Sequence, residues 1–219
     1  MLEGPTLWQY LERQWPRIQP LVLEQVQLIV LSMLIATALG VAIGVAVWDH
    51  PRTAEAVQSV AGILLTIPSL ALLTLFIPLF GLGWTPTVVA LVIYAQLPII
   101  RNTVAGLASV DPAVLESARG IGMTPVRSML RVQLPLAWPV VLAGLRVATM
   151  MLFGISAIAA YVNGPGLGDL VFTGLARLGA VNSQNQALVG GIGIAVLALL
   201  FDVGFLALRR FTVSGGVRA

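Results

Sequence analysis

Leu23–Trp48 reads LEQVQLIVLSMLIATALGVAIGVAVW, and its only charge, Glu24, stands at the start. A helix needs about 20 apolar residues, at about 1.5 Å each, to cross the hydrocarbon core of a bilayer. This run is long enough. Working outward, four more runs meet the same test: Ala56–Phe80, Pro86–Ala105 with Arg101 near its end, Leu136–Val162 around Arg146, and Gln186–Leu208 around Asp202. The chain as a whole agrees. Of 219 residues, 58% are hydrophobic and 10% charged, against about 25% charged in a soluble domain. The expected fold is an all-α polytopic bundle of about five spans in contact with membrane lipid. The expected organisation is an N-terminal segment over 1–20, a membrane domain over 21–210 with a loop at 106–135, and a tail over 211–219.

Residues 1–20 mix Glu12, Arg13 and Arg17 with Trp8, Tyr10 and Trp15. Aromatic residues of this kind favour the membrane–water boundary. The segment reads either as an amphipathic helix on the surface or as a helical extension of the first span. It lacks the basic start and short apolar run of a cleavable signal.

The composition excludes several chemistries. All twelve basic residues are Arg and there is no Cys. A phosphate-loop lysine, a Schiff base, thiolate metal sites and disulfides are therefore absent. The single His, His50 beside Pro51, reads as an interfacial loop residue. No catalytic, cofactor-binding or metal-ligating constellation is expected. The formal charge is only +3, spread over loops, which argues against nucleic acid as a partner.

The basic residues set an expected orientation. With five spans and an inner C-terminus, Arg52, Arg101, Arg119, Arg127, Arg131, Arg209, Arg210 and Arg218 lie inside. Arg13, Arg17 and Arg177 lie outside. That excess obeys the positive-inside tendency. The N-terminus is then outside, and the loops 81–85 and 163–185 face outward.

The spans contain breakers and small residues. Pro68, between Thr66 and Ser69, marks either a bent helix lining a pathway, its freed carbonyls served by those hydroxyls, or a packing kink. Pro98 interrupts the third span, and Pro78 reads as a packing kink. Gly40 and Gly44, and the set Gly190, Gly191 and Gly193, permit close helix approach. Thr66, Pro68, Ser69, Tyr94, Pro98 and Arg146 are the candidates for a translocation path. Arg146 reads as a group at the inner mouth of the path, a strut, or a charge that snorkels to the interface. Asp202 reads as a boundary residue.

The long inner loop, SVDPAVLESARGIGMTPVRSMLRVQLP at Ser109–Pro135, holds two helix starts. Asp111-Pro112 and Thr124-Pro125 are each an N-cap followed by proline at the first helical position. Gly120 and Gly122 end the first helix, and the second is expected to reach about Val132. A plain linker would not need two capped helices; a docking element for a partner would.

This loop resembles the cytoplasmic EAA loop of bacterial ABC-importer permeases: Glu-Ala-Ala, three residues, Gly, nine residues, Ile, one residue, Leu-Pro. Here it reads Glu116, Ser117, Ala118, then Gly122, then Val132, Leu134 and Pro135 at the same spacing. The segments TIPSLALL at Thr66–Leu73, LPIIRNT at Leu97–Thr103 and QLPLAWPVVLAGLR at Gln133–Arg146 are similar to the branch that carries glycine betaine, carnitine and choline. YVNGPGLGDL at Tyr161–Leu170 resembles that branch's glycine-rich outer loop, with Asn163 and Pro165 as departures. The resemblance implies a type I ABC importer transmembrane fold in the bacterial or archaeal cytoplasmic membrane. It implies no cofactor in this chain, ATP and Mg being bound by a separate ATPase subunit present in two copies. It further implies a second permease subunit, alike or related, and an external substrate-binding protein. The EAA loop would dock in the ATPase, with Glu116 pairing an Arg of the partner or of the loop itself. Arg119, Arg127 and Arg131 read as plain positive-inside charges. Two other classes stay open at this point, an amino-acid importer of the same fold and an ATP-independent carrier. An intramembrane enzyme would need a catalytic pair that the spans do not supply. The spans hold few aromatic residues, which fits a chain that passes solute without gripping it.

Overall fold

A computed structural model describes residues 6–212. The start of the expected N-terminal segment, Arg218 and most of the expected tail lie outside the described residues. Among the described residues, four helices are long and apolar enough to cross a membrane, and a bent pair supplies a fifth span if counted as one.

The first, α1 (Leu7–Val47), is one helix of 41 residues. At about 1.5 Å per residue it is about 60 Å long, twice the hydrocarbon core. Residues 7–20 therefore continue into the first span without a break, which is the extension alternative. Thr6 starts the helix with a capping box closed by Gln9.

The second run is not one helix. It divides into α2 (Pro51–Thr66) and α3 (Ser69–Phe80), bent by 93°. Pro68 is the cause. It disfavours the helical region for the residue before it, and Ile67 stands at φ −64°, ψ 129°. The expected kink is a full break. Thr66 Oγ1 donates to the Ile63 carbonyl as expected of a serving hydroxyl. The Ile67 carbonyl is served from another helix altogether, by the Tyr94 hydroxyl at 2.7 Å.

The centre of the bundle is α4 (Trp84–Ala108), which packs against α1, α2, α3 and α7 (Leu134–Ile158). Small residues set the seams. A Cβ on Gly40 would lie 2.6 Å from Ile99 Cγ2, and one on Gly44 2.6 Å from Thr103 Cβ. On the adjacent face of α4, Gly144 of α7 meets Asn102 and the Pro98 carbonyl. With no hydrophobic force between helices in lipid, such close contact supplies much of the cohesion. Buried hydroxyls bond back within their own helices, Thr103 to Ile99 and Thr149 to Leu145.

Between α4 and α7 lie α5 (Pro112–Gly120), α6 (Pro125–Ser128) and a π turn (Met129–Gln133). The second loop helix was expected to close before the fourth span. It instead runs through the π turn into α7. Pro135 explains the widening, because a proline within a helix clashes with the carbonyl four residues back. The turn relieves that contact with an i to i−5 bond from the Leu134 amide to the Met129 carbonyl.

After α7 and a short 3-10 turn (Ala159–Val162) comes α8 (Gly168–Ala176), and α9 (Ser183–Thr212) closes the chain. The region 163–185 was expected to be an outer loop, yet α8 packs into the core with Leu170 fully buried. Its backbone meets α9 at two glycines. A Cβ on Gly174 would lie 2.6 Å from Ser183 O, and one on Gly190 2.9 Å from Leu167 O. Gly193 also faces Leu167, whereas Gly191 meets nothing.

Candidate functional site: the exposed loop and the lines of a path

The loop at 109–133 gets its shape from local caps. The Asp111 carboxylate accepts the Ala113 amide at 2.8 Å, and Thr124 Oγ1 accepts the Arg127 amide at 3.4 Å. At the far end of α5 the Met123 amide reaches the Ala118 carbonyl and the Gly122 amide reaches Arg119. These two bonds form a Schellman motif with Gly122 as the left-handed residue, at φ 78°. The glycine four residues after Ala118 thus has a plain reason: an L side chain is strained there.

Of the expected docking residues, Glu116 and Ser117 are exposed on α5, and Ala118 is buried beneath it. Ser117 Oγ donates back to the Ala113 carbonyl. Glu116 makes no ion pair among the described residues. Gly122 is exposed at the tip. Val132 lies in the π turn, and Leu134 and Pro135 begin α7. Beside Glu116 the loop exposes Ile121 at 74%, Val126 at 69% and Leu130 at 61%. The apolar side chains of Ile121, Val126 and Leu130, the Glu116 carboxylate and Arg119, Arg127 and Arg131 therefore share one uncovered segment.

The candidates for a path separate into two groups. Thr66 and Pro68 are exposed and Ser69 is half-buried, all at the break between α2 and α3. Tyr94 and Pro98 are buried. Tyr94 acts here as a strut, because its hydroxyl satisfies the carbonyl freed by the break. Arg146 is paired across helices. Its Nε and Nη2 donate to the two carboxylate oxygens of Asp202 at 2.5 and 2.7 Å, a bidentate bridge from α7 to α9. Asp202, read from the sequence as a boundary residue, is the other half of this bridge.

A polar network at the other end of the bundle was not foreseen. Gln25 is fully buried within the first apolar run. Its amide nitrogen donates to Ser156 Oγ at 2.7 Å, and its carbonyl accepts the Leu167 amide at 3.2 Å. Glu24 accepts the Gly166 amide, and Arg17 pairs with Asp169 at 3.5 Å. The entry to α8 is thus tied to α1 and α7. Two adjacent polar residues at the head of an otherwise apolar run were the available signal. Asn163 occupies the left-handed region at φ 53°, where Asn is one of the few tolerated residues besides Gly.

Comparison with known proteins places this arrangement. Residues 28–212 match the family described as the binding-protein-dependent transport system inner membrane component. The chain is 38% identical over 194 residues to the choline transport system permease protein OpuBB of Bacillus subtilis, covering 88% of this chain and 87% of that one. It is 38% identical over 203 residues to the osmoprotectant import permease protein OsmW of Salmonella typhimurium, covering 90% and 93%. Among solved structures, the MetNI methionine ABC transporter in an inward-facing conformation superposes with a TM-score of 0.78 at 21% identity. That match covers 91% of this chain and 99% of that one. This likeness shows the fold, that of an ABC-importer permease. The helices and the matched residues together make the chain a multi-pass membrane protein, and it belongs to the family of binding-protein-dependent inner-membrane permeases of ABC importers.

Proposed function

We propose that this chain is the permease subunit of an importer for a small osmoprotectant of the choline, glycine betaine and carnitine class. The observation that carries the reading is the exposed, self-capped segment Glu116–Pro135 in a chain whose 36–38% identical relatives bear the names of these solutes. A separate ATPase, two copies per importer, binds ATP and Mg. A second permease completes the path, and an external protein delivers the solute. The C-terminus and the loop at 109–133 are cytoplasmic and the N-terminus is outside. In this reading Glu116, Ser117 and Gly122 form the face that docks, Ala118 packs α5 from beneath, and Ile121, Val126 and Leu130 supply apolar contact. Val132, Leu134 and Pro135 join that face to α7. Such a short rigid helix transmits displacement, where a floppy segment would absorb it. Thr66, Pro68 and Ser69 line the path at the broken span.

The amino-acid alternative has weaker support. The likeness to the methionine transporter and to an amino acid ABC transporter is at 20–22% identity and speaks for the fold alone. The test is co-purification with the neighbouring gene products, followed by import into proteoliposomes. A P-loop ATPase should co-purify, stimulated by solute-loaded binding protein. Glu116→Arg should leave the bundle folded and lower import at least tenfold while ATP hydrolysis continues. Transport by the chain alone, without ATP, would overturn the proposal in favour of a carrier.

A further inference from the structure

A groove of about 570 Å³ runs between α2 and α4 at the end of the bundle that carries α5. Its polar and aromatic lining is Trp48, Glu55, Gln58, Ser59 and Arg101, and its volume suits a small molecule. Arg101 is exposed into it although Ile99, Ile100 and Thr103 around it on α4 are buried. Glu55 is exposed about one turn into α2. Neither charge is in an ion pair among the described residues, unlike Arg146 with Asp202 and Arg17 with Asp169. Charged groups near the ends of membrane helices turn toward water or a cavity and away from lipid. Two unpaired charges of opposite sign, a neighbouring indole and two neutral polar groups therefore give this open groove a polar lining suited to a small charged molecule.

We propose that the groove is a weak binding site for the transported solute, resting on the function proposed above. Trp48 and Glu55 receive a quaternary ammonium group, and Arg101 receives a carboxylate. An aromatic face and a carboxylate attract an alkylated ammonium, and a guanidinium takes a carboxylate through paired N–H donors. The matched pair of charges selects zwitterions such as glycine betaine. Choline, which has no carboxylate, uses the ammonium half alone. One indole is not a cage, so binding is weak, as passage requires: a solute held tightly would not leave.

The experiment uses the permease–ATPase complex without the binding protein. Saturation-transfer NMR on the methyl protons of glycine betaine and of choline reads weak binding directly. The wild-type complex should bind both. Arg101→Gln should weaken glycine betaine at least tenfold and choline less than twofold. Trp48→Leu and the milder Glu55→Gln should each weaken both solutes at least threefold. Equal effects of Arg101→Gln on the two solutes, or no binding to a complex that imports them when the binding protein is added, would overturn this site alone. No import of either solute by the complete wild-type importer would overturn the functional reading together with it.

Discussion

Gly164, Gly166 and Gly168 at one end of the bundle differ in kind from Gly120 and Gly122 at the other. A Cβ on Gly164 would stand 2.6 Å from the Ala159 carbonyl oxygen, and Gly166 and Gly168 are pressed against Gln25 and Ala157. At Gly120 and Gly122 a Cβ would meet nothing within 4 Å. The first set is required by neighbours, and Gly166 also by its φ of 108°; of the second, Gly122 is required by its backbone alone, at φ 78°, and Gly120 by neither. The glycine-rich segment before α8 is therefore core, positioned by α1 and α7. The segment 109–123 is surface, shaped by its own caps and open to contact. Tightness at one end and self-sufficiency at the other suit a bundle that holds one end fixed and presents the other.

The contrast can be broken most severely at Gly168. Replacing it by Val forces a side chain into the Ala157 backbone, and overpacking of this kind costs about 3 kcal/mol; thermal unfolding in detergent should show a large drop. Gln25→Leu comes next, because it strands the Leu167 amide, while the Ser156 hydroxyl loses a donor but keeps its bond to the Phe153 carbonyl; about 2 kcal/mol is expected for an unsatisfied buried group, again by thermal unfolding. Arg146→Met should lower the unfolding temperature more than the double change Arg146→Met with Asp202→Leu, since the single change leaves one charge unpartnered. Gly122→Ala should cost about 1 kcal/mol for its left-handed conformation. That cost should appear as faster amide exchange over 112–123 with an unchanged unfolding temperature. Smallest of all, Glu116→Gln should leave the unfolding temperature where it was, and a shift comparable to that of Gln25→Leu would erase the distinction between the two ends.

What the sequence revealed follows the range of the forces concerned. Long apolar runs announce α1, α4, α7 and α9 because hydropathy is a property of the run itself. The caps at Asp111, Thr124 and Gly122 were legible for the same reason: each bond spans five residues or fewer. Pro68 announced an interruption but not its angle, which depends on Tyr94 of another helix. The bridge of Arg146 to Asp202 joins residues 56 apart, and Gln25 reaches across 142 residues to Leu167. No local pattern encodes such pairings. Helix α8 escaped notice because nine residues are too few to read as a span. Its burial comes from a seam with α9 that only the folded chain creates.

The π turn at Met129–Gln133 carries one residue more than an α-helical path over the same rise would. Each residue in a helix advances the azimuth by about 100°. The direction in which α5 and α6 stand around the axis of α7 is thus set by a single inserted position, independently of how α7 packs in the bundle. Pro135 locks that insertion in place, since regular winding would bring back its clash with the carbonyl one turn earlier. Loss of one residue from this turn would swing the loop about a quarter of a revolution while leaving every membrane contact of α7 where it is, a compass bearing changed without moving the mast.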